Sequence, residues 1–388
     1  MFGDIFFIIF LIVGFSYGTN IWAQTQGYSS VQTAWLYGLW AYHLLIGLVF
    51  YQYILSNGGD SYRYWTIDPE NTEISSWMGF FGTGTYFMYW FNYPFSQLGG
   101  LGYFAGTILY SSLSFVGFLL VFQLISNSFN TFSKRIFSQV IVMVLFFPNV
   151  HFWTAGIGKE ALLWLGLAMV LFGIHYFSSR SILIIIGLLL SLMVRPIQGL
   201  VLTIAVLLVL PFHKSLKPYR NKVFPLAIFS IFLIIAYRYI KGSLIYGFNL
   251  EWIGKLLDWQ NQFLASFGGG SSVDMQRYNW IEKLITVVFR PFIWELKDFW
   301  SLAAGLENTF LVVIFCIAVY GLFYLKGRIN IPLYLWIALI YGMLLSVLYS
   351  ITLNNLGIIM RMKSIYLPFF IILGFYLYFE VANKKAKE

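Results

Sequence analysis

Charged side chains are scarce in this chain, and those flanking apolar runs carry what chemistry it can do. SNGGDSYRYWTIDPEN, Ser56 to Asn71, sets Asp60 and Arg63 directly after an apolar run, among Tyr62, Tyr64 and Trp65. Asp60 follows two glycines, so the backbone can turn sharply and present the carboxylate. The competing reading is an Asp turn paired with Arg63. FFPNVHFWTAGIGKEALLW, Phe146 to Trp164, contains His151 and places Lys159 and Glu160 after a corner made by Gly156 and Gly158. Two adjacent charges at membrane depth are costly unless paired or wet. A helix start there offers free N–H groups and a positive dipole end, which suit a phosphate. An ordinary first helical turn with an interfacial lysine is the alternative. Arg195 in LMVRPIQG, Arg290 in VVFRPFIWELKDFW, and Arg361 with Lys363 in NNLGIIMRMKSIYLPF repeat the device of a cation at the edge of an apolar run. The planar guanidinium fork holds phosphate oxygens at any physiological pH. Each of these cations can also be read as a snorkelling anchor. His43, His151, His175 and His213 have no metal-ligand spacing, and no Ser–His–Asp arrangement can be inferred.

The elements that must position these residues are membrane helices. The 388 residues are 60% hydrophobic and only 10% charged, and mean hydropathy is +0.77. A soluble domain could not hide that much apolar surface. Apolar runs of about twenty residues suit helices crossing roughly 30 Å of hydrocarbon, whereas a β-barrel would show short alternating segments. The fold expected is all-α, a polytopic transmembrane bundle in one domain, 1–388. Hydropathy places about eleven spans, near 3–22, 34–55, 101–125, 136–150, 159–178, 181–195, 197–212, 223–240, 304–325, 331–352 and 365–382. The first is read as a retained helix, because it lacks a basic n-region and a clear cleavage site. Residues 56–97 form an outer loop whose aromatic, glycine-rich part, 75–97, predicts a re-entrant or interfacial helix, or a further span. Residues 241–303, with Trp252, Trp259, Trp280, Trp294 and Trp300, predict an outer amphipathic segment; such surfaces suit sugar rings and the headgroup zone alike.

Net charge is +9. In this setting it points to cytoplasmic loops on anionic lipid rather than to nucleic acid. Lys134 and Arg135, then Arg180, then Lys214 to Lys222, then Lys326 and Arg328, then Lys384 to Lys387 mark alternate loops. The positive-inside rule places these loops, and the C-terminus, in the cytoplasm. Asp60, Arg63, Asp68, Glu70, His151, Lys159, Glu160, Arg195, Arg290, Arg361 and Lys363 then share the opposite face. Cations are disfavoured there, which strengthens the reading of a shared polar cavity. Cys316 alone cannot build a disulfide or a thiolate metal site.

Five blocks carry a resemblance to a known class. GGDSYRYW resembles the first outer loop of C-type (GT-C) glycosyltransferases. FFPNVHFWTAGIGKEAL, VRPIQGL, RPFIWELKDFWSLAAGLEN and NNLGIIMRMKSIYLPF look like blocks of polytopic surface-polysaccharide proteins, among them O-antigen and exopolysaccharide polymerases. The likeness runs from about residue 50 to 375, and the double-acid motif of some C-type enzymes is missing. The resemblance implies transfer of sugar from a polyprenyl-phosphate-linked donor to a glycan acceptor, at the outer face of a bacterial plasma membrane. Asp60 would be the base that accepts the proton of the attacking hydroxyl. Arg63, Lys159, Glu160, Arg195, Arg290, Arg361, Lys363 and His151 would line the substrate site, the cations holding phosphate. No metal site is assigned, and a divalent cation, magnesium or manganese, is compatible with the chemistry. Two other classes stay open: a flippase for lipid-linked oligosaccharide, which would call for a polar path and related halves, and a non-enzymatic partner in a polysaccharide or secretion complex.

Overall fold

A computed structural model describes residues 2–68, 76–129, 140–141, 143–219, 254–255, 262, 271–295, 299–325 and 330–385. The expected span 223–240, the loop holding Lys134 and Arg135, most of 241–270 with Trp252 and Trp259, Glu70, and Lys326 with Arg328 lie outside these residues. The chain divides into two compact units, residues 1–200 and 201–388. The described elements are helical, with one isolated bridge between Ser272 and Asn355 and no strand among the described residues.

In the first unit, α1 is Phe2–Thr25, α2 Ser30–Asn57, α3 Asp60–Thr66, α4 Thr85–Tyr93, α5 Tyr103–Ser128, α6 Pro148–Thr154, α7 Lys159–His175 and α8 Ile182–Val194. The boundary between the units falls inside α9, Pro196–Val209. Apolar runs take this form because a helix satisfies its own backbone hydrogen bonds where no water can. Local signals set the ends. Ser29 and Gln32 cap α2 reciprocally, each side chain accepting the other's backbone N–H. Pro196 stops α8 at Arg195. Helix α5 is buried along most of its length and forms the axis of the unit, whereas α1 touches it on one side only. Small residues bring α7 and α8 into contact. Gly166 lies against Ser191 and the Gly187 carbonyl, and Gly173 against Ile184.

Two ends of this unit can be told apart. At one, the Asp4 carboxylate accepts the Gly102 N–H at 2.8 Å, joining the start of α1 to the start of α5. At the other, Tyr28 Oη donates to Gln123 Oε1 at 2.7 Å and Gln123 Nε2 donates to Tyr176 Oη at 3.1 Å. Arg180 follows on the helical turn Phe177–Arg180 at that second end.

In the second unit, α10 is Trp280–Phe289, α11 Phe299–Leu325, α12 Leu333–Thr352, α13 Leu356–Lys363 and α14 Leu367–Lys385. Helices α11 and α14 run parallel: Gly374 meets Ile314, Gly321 meets Leu377, and Lys384 lies over the ring of Tyr324. The end of α11, which leads into residues 326–329, therefore shares an end of the unit with Lys384 and Lys385.

Among the described residues, six helices are long and apolar enough to span: α1, α2, α5, α12, α14 and Leu302–Leu325 within α11. The pair α6 and α7, bent by 111°, would make a seventh. Several such helices mark a multi-pass membrane protein. Hydropathy expects about eleven; part of the difference is physical, and part lies outside the described residues. The run from 181 to 212 is cut at Arg195–Pro196 into helices shorter than 18 residues. Residues 136–150 and 223–240 are partly or wholly outside the described set. Helix α4 has nine residues, about 14 Å at 1.5 Å per residue, and cannot cross on its own.

Candidate functional site

The α6–α7 corner sets the geometry at the Asp4 end of the first unit. Pro148 opens α6, and Ala155 to Gly158 turn the chain through 111° into α7. Gly156 is needed because a Cβ there would overlap the ring of Phe50, which is itself buried. The corner delivers Lys159 and Glu160 to the first turn of α7 in different surroundings. Lys159 is half-buried, and its ammonium donates to Thr85 Oγ1 at 2.9 Å and lies 5.4 Å from the centre of the Tyr64 ring. Glu160 is 1% exposed and forms an ion pair with Arg195, where α8 breaks into α9. An acid in the first turn also meets the positive end of the helix.

The short helix α3 completes the cluster. Its first residue, Asp60, is exposed, and Tyr64 Oη donates to Asp60 Oδ2 at 3.4 Å, a long bond. Arg63 sits half-buried on the same helix. The helix is fastened from below: Trp65 Nε1 donates to the Leu101 carbonyl at 2.8 Å, and Asn92 Nδ2 to the Tyr64 carbonyl at 2.9 Å. Asn92 Oδ1 in turn accepts from Tyr110 Oη at 2.7 Å. Helix α4 is held at its other end by the Gly84 N–H, which donates to the Met193 carbonyl at 2.8 Å. Asp60, Tyr64, Lys159, Glu160 and Arg195 are thus gathered at one end of one unit, from α3, α7 and the α8–α9 break. Arg195 keeps one buried donor, its Nε–H, without a hydrogen-bond partner.

His151 goes elsewhere. It is fully buried, stacked on Phe118, with its Nδ1 2.7 Å from Nδ1 of His43. Its Nε2 faces the Leu145 carbonyl, which can only accept, so that nitrogen carries the hydrogen. His43 Nδ1–H then donates to His151 Nδ1, and His43 Nε2 takes the Ser114 hydroxyl at 2.8 Å. Neutral tautomers satisfy the pair completely, which makes it an internal tie between α2, α5 and α6.

In the second unit the expected site residues are engaged within the unit. Arg290 grips Glu295 through Nε at 2.8 and 3.0 Å and through Nη2, and Nη1 donates to Tyr278 Oη at 3.0 Å. Burial tends to raise the Glu295 carboxyl, but hydrogen bonds from Arg290 and from the Phe292 N–H outweigh it and hold it below its ordinary range. Lys363 is fully buried, and its Nζ donates to the carbonyls of Val288 and Arg290 and to Asn308 Oδ1 at 2.8–3.0 Å. Burial pushes its ammonium down to about 7, against the opposing pull of Glu307. Three donors on three acceptors describe an anchor that ties α13 to α10 and α11. Arg361 is half-buried one half-turn earlier on α13.

Tyr64 stands out in the sequence as an aromatic neighbour of Asp60, while Thr85, Asn92 and His43 carry no signal of their own there. Each is an ordinary residue until its partner, 28 to 108 positions away, is known. Among the described residues, no three His, Cys, Asp or Glu side chains are grouped so as to hold a metal ion. Compared with family models, curated proteins and solved structures, the chain matches none.

Proposed function

We propose that the protein is a membrane glycosyltransferase or polysaccharide polymerase, taking sugar units from a polyprenyl-phosphate-linked donor. The gathering of an exposed carboxylate, Asp60, with the cations Lys159 and Arg195 at one end of a membrane-helix unit supports this reading. Each part has a task in such a transfer. Asp60 accepts the proton of the attacking hydroxyl on the glycan acceptor. Lys159 and the part of the Arg195 side chain that stays exposed stabilise the departing phosphate. Glu160 fixes the guanidinium so that its position does not have to be reorganised during transfer. Tyr64 links the two charges, bonded to Asp60 and beneath the Lys159 ammonium. The bilayer holds the polyprenyl tail, and the basic loops argue for the site lying on the outer face of a bacterial plasma membrane. A divalent cation, where one takes part, is best held by Asp60 and the donor phosphates together, since magnesium is often bound by one carboxylate plus substrate oxygens.

Asp60→Asn tests the reading. The variant keeps the side chain's size and cannot accept the proton. It should fold and bind a polyprenyl-phosphate sugar as before, while transfer per folded molecule falls by about 10²–10⁴-fold. Turnover close to that of the parent protein, measured on the same sample as its melting temperature, removes Asp60 as the base.

A further inference from the structure

We infer that the surface between α11 and α14 is a binding site for one anionic phospholipid, at the end of the second unit opposite Arg290 and Lys363. A groove of about 410 Å³ runs there, bordered by Cys316, Ile317, Tyr320, Tyr378, Val381 and Lys385. That volume falls within the range of ligand clefts. Among the described residues that line it, Lys385 alone is charged, and it stands at one end. There Lys385 Nζ donates to Tyr320 Oη at 3.3 Å and lies 5.2 Å from the centre of the Tyr324 ring, while Lys384 sits 5.0 Å over the same ring. Two ammonium groups are therefore held together by two tyrosine faces.

The charge and the shape select the occupant. Both helices are long apolar spans, so the groove faces acyl chains. Cys316, Tyr320 and Tyr378 are exposed along it, which leaves room for a chain to lie against them. A zwitterionic lipid satisfies the apolar part, but its own ammonium is repelled by the pair of lysines. A free phosphate satisfies the lysines and leaves the apolar part uncovered. An anionic phospholipid satisfies both, its phosphate at Lys384, Lys385 and the Tyr320 hydroxyl and one acyl chain along Cys316, Ile317 and Val381. Basic pockets between membrane helices recognise anionic headgroups in this way.

Cys316, the one cysteine in the chain, reports on the groove directly. The full-length protein is placed in nanodiscs of phosphatidylcholine, with and without phosphatidylglycerol, and the rate of Cys316 alkylation by a membrane-permeant maleimide is measured. Phosphatidylglycerol should slow alkylation, and K384Q/K385Q should restore it. Each lysine is worth a factor of about five in lipid affinity. Neither lysine is buried, so the variant should keep its fold, which its melting temperature checks. Ala382 also lines the groove, so A382W, which fills it with a ring, should protect Cys316 in either lipid and abolish the headgroup effect. Soluble glycerol phosphate should give no protection. Equal alkylation rates in the two lipids, or a phosphatidylglycerol effect that survives K384Q/K385Q, overturns the proposal.

Discussion

Arg195 shows how two duties meet in one side chain. Its guanidinium neutralises Glu160, which is buried to 1% exposure, and still carries an unpartnered Nε–H. A buried carboxylate stripped of its partner is strongly destabilising, by about 3–5 kcal/mol in comparable pairs, mostly through the uncompensated charge. Arg195→Ala should therefore lower the melting temperature sharply, beyond any effect on donor binding. Adding Glu160→Gln removes the stranded charge, so the double variant should recover much of the stability. Donor binding should stay weak in that double variant, because the phosphate donor is still absent. Thermal unfolding and binding of a polyprenyl-phosphate sugar, measured across the two single variants and the double, separate the roles. If the double variant melts no higher than Arg195→Ala, the pair is not what stabilises this end of the unit.

The helices show which features a sequence can reveal. Long apolar runs are self-sufficient in a bilayer, so α1, α2, α5, α11, α12 and α14 are legible from hydropathy alone to within a few residues. The breaks are less legible, because whether a polar residue ends a span depends on what it meets. Arg195–Pro196 is legible as a break, since the expected spans 181–195 and 197–212 meet there, but it is not legible that each piece would be too short to count as a span. The α6–α7 corner is the other case. Its glycines read as a flexible turn, whereas in the structure Gly156 is fixed by the Phe50 ring, and residues 155 to 158 are buried. Gly156→Ala should then act by overpacking, at about 1–3 kcal/mol, and not by stiffening a hinge. Phe50→Leu in the same chain removes the clash and should return part of the loss. A melting temperature for Gly156→Ala equal to that of the parent would mean that the ring can move aside and the corner is loosely packed.

The charges sort by end within each unit, and the sequence carries this pattern better than it carries the pairings. Asp60, Lys159, Glu160 and Arg195 were expected on one face, and they do share the Asp4 end of the first unit, away from Arg180. The partners of His151 and Lys363 were not legible, since pairing depends on His43 and on Asn308 and carbonyls far along the chain. Which end faces outward is an expectation from the basic loops alone, through the bias of lysine and arginine toward the cytoplasm. This orientation can be tested one end at a time, in intact cells, with a thiol reagent that does not cross the membrane. In a Cys316→Ala background, single cysteines replace Ser56 and Ser179 in the first unit, and Gln276 and Asn383 in the second. All four positions are exposed. Ser56→Cys and Gln276→Cys should label before lysis, whereas Ser179→Cys and Asn383→Cys should label only after it. Labelling of Ser179→Cys with protection of Ser56→Cys would turn the first unit over. The Asp60 cluster would then face the cytoplasm, where a donor presented at the outer face could not reach it. Labelling of both positions before lysis would mean that the helices joining them do not span. The first result would end the proposed function as an outer-face transfer, even if Asp60→Asn remained inactive.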